Sequence, residues 1–308
     1  MKRFPVLFFI LLIYTHLSAQ QKKDTIISVD NYFVTLSPVI IDTKLNVPSF
    51  IERVKLDTSF YKAFKNIRIL GYSAINDIRM FGNNKNQIDY LHSRTKQIRQ
   101  NDCRIMQTIE EEHSENFYDL EQNYNYYTAQ LYASLFFTSG KVCGENNIVG
   151  DSHFSVKEKK GLEKHKEQLK MLFFNPGKKI SGLPFISGKT AIFDDRVVEN
   201  YDLSIDMDYY NKTSCFVFKQ KVKPGKENDV MLDEMTTWFN DSTFEVVARN
   251  YSLSYDAGFY DFNVNMEVQM TQFKNLMVPS LIRYNGNWKA IFKKRERGVF
   301  TATLFDFE

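Results

Sequence analysis

The 308-residue chain carries 40 Lys and Arg against 37 Asp and Glu, which gives a formal net charge of +3. This near balance argues against a dedicated nucleic-acid surface, which needs a clear excess of basic side chains. Aromatic residues make up 15% of the chain, and most of them are Phe and Tyr. Such a composition suits an all-β core or an apolar cavity.

The N-terminus has the pattern of a secretory signal peptide. Lys2 and Arg3 precede an almost wholly apolar segment, Phe4 to Tyr14, and Leu17-Ser18-Ala19 follows. The apolar segment is well short of the roughly 20 residues that a membrane-spanning helix needs. No Cys stands at the cleavage point, which argues against a lipid anchor. We therefore predict a signal peptide over residues 1–19 and a periplasmic or otherwise exported mature chain.

Residues 20–45 are predicted to form an N-terminal tether with one strand, Tyr32 to Ile41, broken by Pro38. A helix is then expected to begin at Asn46, a good N-cap residue, with Pro48 in its first turn. Apolar residues recur at helical spacing as far as Phe64, with an interruption at residues 56–58. This pattern predicts one helix or a broken helix pair.

Three strands are predicted next: Ile67 to Phe81, Gln87 to Arg99 and Cys103 to Glu111. A helical insertion over residues 113–195 follows, and it includes a charged helix from Ser155 to Phe173. The insertion ends in an apolar, exposed-looking loop. We interpret that loop as a lid, carried by Leu183, Phe185 and Ile186.

The last third of the chain predicts about eight short antiparallel strands. In the clearest one, Phe259 to Gln272, apolar and polar residues alternate, so one face is buried or faces a ligand and the other is wet. Turns are expected at residues 285–287 and at Arg297-Gly298, and Pro279 is expected to start a strand. Strands this close are linked by hairpins, because a parallel crossover needs about a dozen residues.

Together these elements predict a mainly β, α+β fold. We expect a single domain over residues 46–308, built as a curved antiparallel half-barrel of about eleven strands with helices on its concave side. The three Cys residues of an exported chain leave one unpaired. We favour a disulfide between Cys103 and Cys143 with Cys215 buried in a strand, and three free buried thiols are the alternative.

The sequence holds no catalytic motif. The histidines lack metal-ligand spacing, and no nucleophile elbow, phosphate-binding loop or zinc-protease motif occurs. The acidic row Asp202, Asp206 and Asp208 is interpreted as a solvated strand face rather than a calcium site. We therefore predict a non-enzymatic protein without catalytic residues, metal or cofactor.

The apolar stripe of the clearest strand is the best candidate for ligand binding. Such a stripe is most often packed into the hydrophobic core. If the helices cover the curved sheet incompletely, the same stripe also lines a ligand pocket. The predicted ligand-binding residues are Tyr260, Phe262, Val264, Met266, Met270 and Phe218.

The order of elements, a signal peptide, a helix at 47–64, three strands, a helical insertion and a long meander, resembles the half-barrel of periplasmic lipoprotein carriers and their outer-membrane receptors. The segments Asp57 to Phe64 and Arg283 to Gly286 also resemble short sequence segments in uncharacterised exported proteins of Gram-negative bacteria. The resemblance covers nearly the whole mature chain. It implies a concave apolar face for acyl chains, shielded by helices.

Two functions follow as hypotheses. The first is an exported protein that binds or carries a lipid, an acyl chain or an acylated protein in the cell envelope. The alternative is an envelope interaction scaffold with a fully packed core and the helical insertion as its partner surface. The basic run Lys293 to Arg297 fits peripheral contact with anionic head groups, although a solubilising hairpin end is the favoured interpretation.

Overall fold

The computed structural model describes residues 24–43, 45–149, 172–179, 188–256, 260–290 and 294–308. In this part of the chain thirteen strands form one curved, unclosed sheet. In chain order they are β1 (Thr25–Val29), β2 (Tyr32–Leu36), β3 (Tyr72–Phe81), β4 (Gln87–Gln100), β5 (Cys103–His113), β6 (Val142–Cys143), β7 (Tyr201–Tyr210), β8 (Thr213–Val222), β9 (Leu232–Asn240), β10 (Val246–Asp256), β11 (Tyr260–Phe273), β12 (Leu276–Ala290) and β13 (Glu296–Phe305).

Strands β7 to β13 follow one another across the middle of the sheet as an antiparallel meander. The hairpin β1–β2 extends one end through a parallel pairing of β2 with β7. The other end is extended by β3, which pairs with β13, and then by β4, β5 and β6. The predicted fold class, a mainly β half-barrel with accompanying helices, is confirmed, with thirteen strands in place of about eleven.

Five α-helices accompany the sheet in the described residues: α1 (Pro38–Thr43), α2 (Val47–Leu56), α3 (Ser59–Asn66), α4 (Tyr127–Phe136) and α5 (Asp195–Val198). Residues 172–174 are helical as well. A search of the described residues finds no helix with the length and apolar character needed to cross a bilayer. The signal-peptide segment, most of the charged helix and the predicted lid lie outside the described residues.

The helix α2 begins where the sequence predicts it. The Asn46 side chain accepts a hydrogen bond of 3.0 Å from the Ser49 backbone N–H, which satisfies one free donor of the first turn. The helix ends at Leu56, and α3 restarts at Ser59, whose N–H donates to the Asp57 carboxylate. The broken pair therefore reflects two separate helix starts.

Phe50 on α2 fixes this helix against the sheet. Its ring lies edge-on to four other phenylalanine rings, with centroids between 5.4 and 6.0 Å away. Such edge-to-face pairs contribute about 0.5 to 1.5 kcal/mol each beyond the area they bury. The four partners lie on β8, β9 and the turn after β9: Phe216, Phe218, Phe239 and Phe244.

The stretch predicted as a tether is instead structured over most of its length. β1 and β2 form a hairpin, and Tyr32 and Val34 are buried. The predicted strand ends at Leu36, because Pro38 begins α1 rather than interrupting extended chain. A Pro at the first position of a helix has its backbone φ angle already fixed near the helical value. The N–H that it lacks would have no partner within the helix anyway.

Two turns predicted from glycine are wrong, because both glycines lie inside strands. Gly286 is in β12 and Gly298 is in β13, and the two residues pair across the strands. The Tyr284 ring covers Gly286 and stacks on Phe300 with centroids 4.7 Å apart. These glycines make room for rings on the concave face.

Pro279 also lies inside a strand rather than at its start. It pairs with Met270 at the point where the register of β11 and β12 shifts. At a register shift the sheet tolerates the absence of the backbone N–H donor that proline lacks. The predicted start at Ile67 is likewise three residues of 3-10 helix, Ile67–Ile69, before β3 begins.

Substitution of Gly286 tests this packing. A Cβ at this position would overlap the Tyr284 ring, which is buried and holds a hydrogen bond from the Trp288 indole, so it has little freedom to move. We expect Gly286→Ala to lower the free energy of unfolding by about 1 to 3 kcal/mol in urea titrations.

Gly188→Ala is the matched control, since no atom of the described residues lies within 4 Å of a Cβ there. Equal stability of the two variants would contradict the overlap with Tyr284.

Candidate functional site

The predicted apolar stripe lies on the concave face of β11 and is buried. Phe262, Val264 and Met266 are at most 3% exposed, and Met270 is 9% exposed. The Tyr260 side chain and the lid residues Leu183, Phe185 and Ile186 lie outside the described residues. The stripe is therefore part of the hydrophobic core in this structure, as the more general interpretation of the pattern predicts.

Aromatic rings from the neighbouring strands and from residues 172–174 complete this part of the face. Phe262 stacks on Trp288 with centroids 4.8 Å apart. Phe173 lies over both Trp288 and Tyr284, at 6.3 and 6.0 Å. Phe173 thus supplies part of the apolar cover over β11 and β12, and α3 also packs against β12.

A small apolar cavity remains between α4 and the sheet. Its volume is about 10 Å³, close to the space that a single water molecule needs. Met266 is the one predicted ligand-binding residue in its wall. The lining residues are Thr128, Leu131, Tyr132, Leu135, Phe136, Phe173, Met266, Tyr284 and Phe300.

The N-terminus of α4 is held by a carboxylate from a distant strand. Glu296 on β13 accepts hydrogen bonds from the Tyr127 N–H at 3.0 Å, the Thr128 N–H at 2.8 Å and the Thr128 hydroxyl at 2.7 Å. A negative charge at this end of a helix satisfies free N–H donors and interacts favourably with the helix dipole. Glu296 therefore anchors α4 to the sheet.

A buried polar network holds the next turn of α4. The Tyr132 hydroxyl donates to Asn76 Oδ1 at 3.0 Å, and Asn76 Nδ2 donates to Ser93 and Thr95 at 3.3 Å. Burial raises the pKa of Tyr132 well above its usual range, so its proton stays in place. Both ends of the Asn76 amide are satisfied.

A third polar contact lies just before the helix. Asp89 on β4 is 5% exposed and accepts hydrogen bonds from the hydroxyls of Ser114, at 2.6 Å, and Tyr126. Burial and the adjacent carboxylate raise the pKa of Tyr126. The start of α4 is thus attached by charged and polar groups, whereas its apolar side covers Met266.

Phe218, the last predicted ligand-binding residue, lies elsewhere on the concave face. It is fully buried and lines a second cavity, of about 20 Å³, below α2. Arg249 on β10 lies in the same wall and is 6% exposed. Its Nε donates to the Thr237 hydroxyl at 2.9 Å, and its Nη2 is 3.8 Å from Asp57 Oδ2. The predicted residues therefore divide between two separate places.

Cys103 and Cys143 form a disulfide that joins β5 to β6, and Cys215 is a buried free thiol. Among the described residues, one group has metal-ligand side chains close together, namely Asp102 with the same two cysteines. Because the cysteine sulfurs are bonded to each other, they cannot act as thiolate ligands.

Sequence reasoning missed the polar groups of the concave face. The signal was present, because Phe218 and Gln220 occupy the same face of β8, as do Arg249 and Tyr251 on β10. A polar residue at an inward position within an alternating strand indicates a buried polar group. Glu296 had no such signal, because its partners are 168 and 169 residues away in the chain.

No protein-family model matches the chain, and no curated protein matches it. Among solved structures, the chain is similar to a putative outer membrane lipoprotein-sorting protein domain from Vibrio parahaemolyticus. The two share 9% sequence identity over 81% of this chain and 91% of that chain, with a TM-score of 0.28. A DUF1329 family protein from Desulfovibrio piger has the same identity and coverage and a TM-score of 0.25. The first belongs to the class of protein that the element order resembles, and TM-scores this low carry no argument about function.

The role of Glu296 predicts a measurable loss when its charge is removed. We expect Glu296→Gln to lower the free energy of unfolding by about 1 to 3 kcal/mol, because the amide loses charge-assisted hydrogen bonds to the start of α4. Hydrogen exchange of the α4 amides should also become faster.

Glu267→Gln on β11 is the control. Glu267 is half exposed and pairs with Arg283 at 3.3 Å, a surface contact worth little. Unchanged α4 exchange in Glu296→Gln would show that the carboxylate does not anchor the helix.

Proposed function

We propose that this protein binds an apolar ligand, a lipid or an acyl chain, in the cell envelope and performs no chemistry on it. The observation that carries the proposal is the contrast at α4. Its N-terminus is attached by Glu296 and Tyr126, while its apolar side covers Met266 and a residual apolar cavity. Entry of a ligand requires the second half of α4, which carries the partly buried Leu135 and Phe136, to move away from the sheet between the polar contacts of Tyr132 and Thr138.

The lining of this cavity suits a ligand of variable shape. Met266 has a flexible, polarisable side chain that adapts to irregular contacts. The aromatic rings around it, Tyr284, Phe300 and Phe173, offer flat apolar surfaces. Displacement of α4 would join the cavity to the buried stripe of β11, which provides a continuous apolar surface.

An exported location is part of the proposal. The N-terminal sequence has the signal-peptide pattern, and the Cys103–Cys143 disulfide is typical of an oxidising compartment such as the periplasm. The buried Asp89 and the partly buried Glu296, both near α4, each hold structural hydrogen bonds. Their use in anchoring α4 supports a binding protein rather than an enzyme.

The test uses a neutral apolar probe, so that charge plays no part. We expect N-phenyl-1-naphthylamine to bind with enhanced fluorescence and to be displaced by hexadecanol. Met266→Trp should weaken this binding about tenfold, because the larger ring fills the cavity and overpacks the wall. Fluorescence titration measures both effects.

Met266→Leu is the control, because it keeps the apolar volume and should bind the probe as the natural protein does. Lipid extraction and native mass spectrometry of the purified protein give an independent measurement. Absence of any bound apolar molecule, together with no probe binding, would rule out this function.

A second candidate function is an envelope interaction scaffold. It is favoured by the edge of the sheet at β1, which pairs only with β2 among the described strands. Ile26 on β1 and Phe33 on β2 are 66% and 68% exposed there. An open edge flanked by exposed apolar side chains is a template for pairing with a partner strand.

Surface variants test the scaffold better than deletion of the insertion, because α4 contributes buried core residues. We expect Phe33→Lys to abolish cross-linking to an envelope partner and to leave probe binding intact. Ile109→Lys is the control, because Ile109 is an exposed apolar residue on β5, near the opposite end of the sheet. Cross-linking that yields no partner, or that persists in Phe33→Lys, would remove this candidate.

A further inference from the structure

Gln220 is a buried amide that the packing of the concave face leaves unsatisfied at both of its polar atoms. It lies on β8, is 0% exposed, and neither its Nε2 nor its Oε1 has a hydrogen-bond partner among the described residues. Leaving a buried amide unpaired costs about 1 to 3 kcal/mol. Buried amides elsewhere on the face are satisfied at both ends, as in Asn76 and Gln97. Gln220 therefore differs from these other buried amides of the sheet.

The unpaired amide lines the cavity of about 20 Å³ below α2. Thr237 and Arg249, on β9 and β10, line the same cavity. The Thr237 hydroxyl accepts from Arg249 Nε, so its own hydrogen is free to donate, and no acceptor for it is present in the described part of the chain. Three neighbouring strands thus direct donors to one small space.

The charges around this cavity do not balance. Its lining contains two cations, Arg249 and Lys178, and one anion, Asp57. Asp57 is shared, because Oδ1 accepts from the Ser59 N–H at 3.0 Å and Oδ2 lies 3.8 Å from Arg249. Burial lowers the pKa of both Lys178 and Arg249, as expected where positive charge is incompletely compensated. The Lys178 ammonium also donates to the Lys55 carbonyl and the Arg249 guanidinium lies over the Phe60 ring, so neutral groups meet part of this positive charge, and one cation has no carboxylate partner in the lining.

The size of the cavity limits its occupant to one small group. About 20 Å³ accommodates a water molecule or the polar end of a larger molecule. The rest of the wall is apolar and includes Val54, Ile192, Phe193, Phe218 and Met235. A group that enters must therefore be small, and an acceptor with a negative charge matches the donors Gln220 Nε2 and Thr237 and the two cations.

We propose that the cavity formed by Gln220, Thr237, Arg249 and Lys178 is a binding site for a carboxylate. One carboxylate oxygen accepts from Gln220 Nε2 and the other accepts from Thr237 and the guanidinium, whose planar donors suit a carboxylate. The site takes either a small free carboxylate or the terminal carboxylate of an acyl chain. It does not depend on the apolar-ligand function, because a free carboxylate satisfies it equally.

Calorimetric titration at constant ionic strength tests the site with two carboxylates. Sodium acetate represents the free anion and sodium hexadecanoate represents the chain-borne one. Acetamide is the neutral analogue of acetate and is expected to bind about tenfold more weakly or not at all, since hydrogen bonds to a charged group are the stronger ones.

Gln220→Leu separates binding from folding. We expect it to weaken carboxylate binding about tenfold, while the thermal midpoint stays the same or rises, because an unpaired buried amide is replaced by an apolar group of similar size. Gln107→Leu on β5 is the control, since Gln107 is exposed and away from the cavity. It should bind both carboxylates normally.

Each outcome decides the proposal. Acetate binding that is lost in Gln220→Leu supports a site for a free carboxylate, and tighter, equally sensitive hexadecanoate binding supports a chain-borne one. Hexadecanoate binding that is unchanged in Gln220→Leu overturns the carboxylate site and leaves the apolar-ligand function standing. Binding of neither carboxylate overturns the site as well, with a buried water as the occupant.

Discussion

The edge-to-face packing of Phe50 against four phenylalanine rings is the contact on which the concave side depends. An unclosed sheet cannot bury its own concave face, so helices must cover it. Phe50 fixes α2 over β8 and β9, and this places Val54 and Asp57 over the cavity that Arg249 and Gln220 line. The position of the polar cavity therefore follows from an apolar contact one to two turns earlier on the same helix.

The concave face carries polar groups at both ends, and they differ in how completely they are satisfied. Near α4, the amides of Asn76 and Gln97 have partners on both their nitrogen and their oxygen. Near α2, Gln220 has none, although it is equally buried. Polar groups in a core fix a helix in position when they are satisfied, and an unsatisfied one marks a place where a ligand or water completes the structure. This difference separates a structural network from a candidate binding site.

Alternation along the chain was enough to predict the antiparallel sheet and the buried stripe of β11, because side-chain direction in a strand follows directly from sequence position. It was not enough to predict Gly286 inside β12, since glycine in a polar stretch also signals a turn, and only the covering ring of Tyr284 distinguishes the two. The second strand of the hairpin β1–β2 was predicted in part, as the strand from Tyr32, whereas its parallel pairing with β7 was not, because that pairing joins residues far apart in the chain. Contacts of this kind leave no local pattern.

A closely packed concave face can still bind a ligand if burying the ligand gains more free energy than exposing the covering side chains costs. Each methylene moved out of water contributes ~0.8 kcal/mol, so an acyl chain that buries on the order of ten methylenes gains ~8 kcal/mol. Exposing a large apolar side chain such as Leu131 costs ~1.5 to 3 kcal/mol. The second half of α4 contributes few such residues, since Leu135 and Phe136 are only partly buried, whereas Glu296 keeps the first turn attached. Opening of this half keeps the Glu296 and Tyr132 contacts and requires the hydrogen bond between Thr138, just after the helix, and Gln97 to break, and the ligand re-covers the part of the sheet that is exposed.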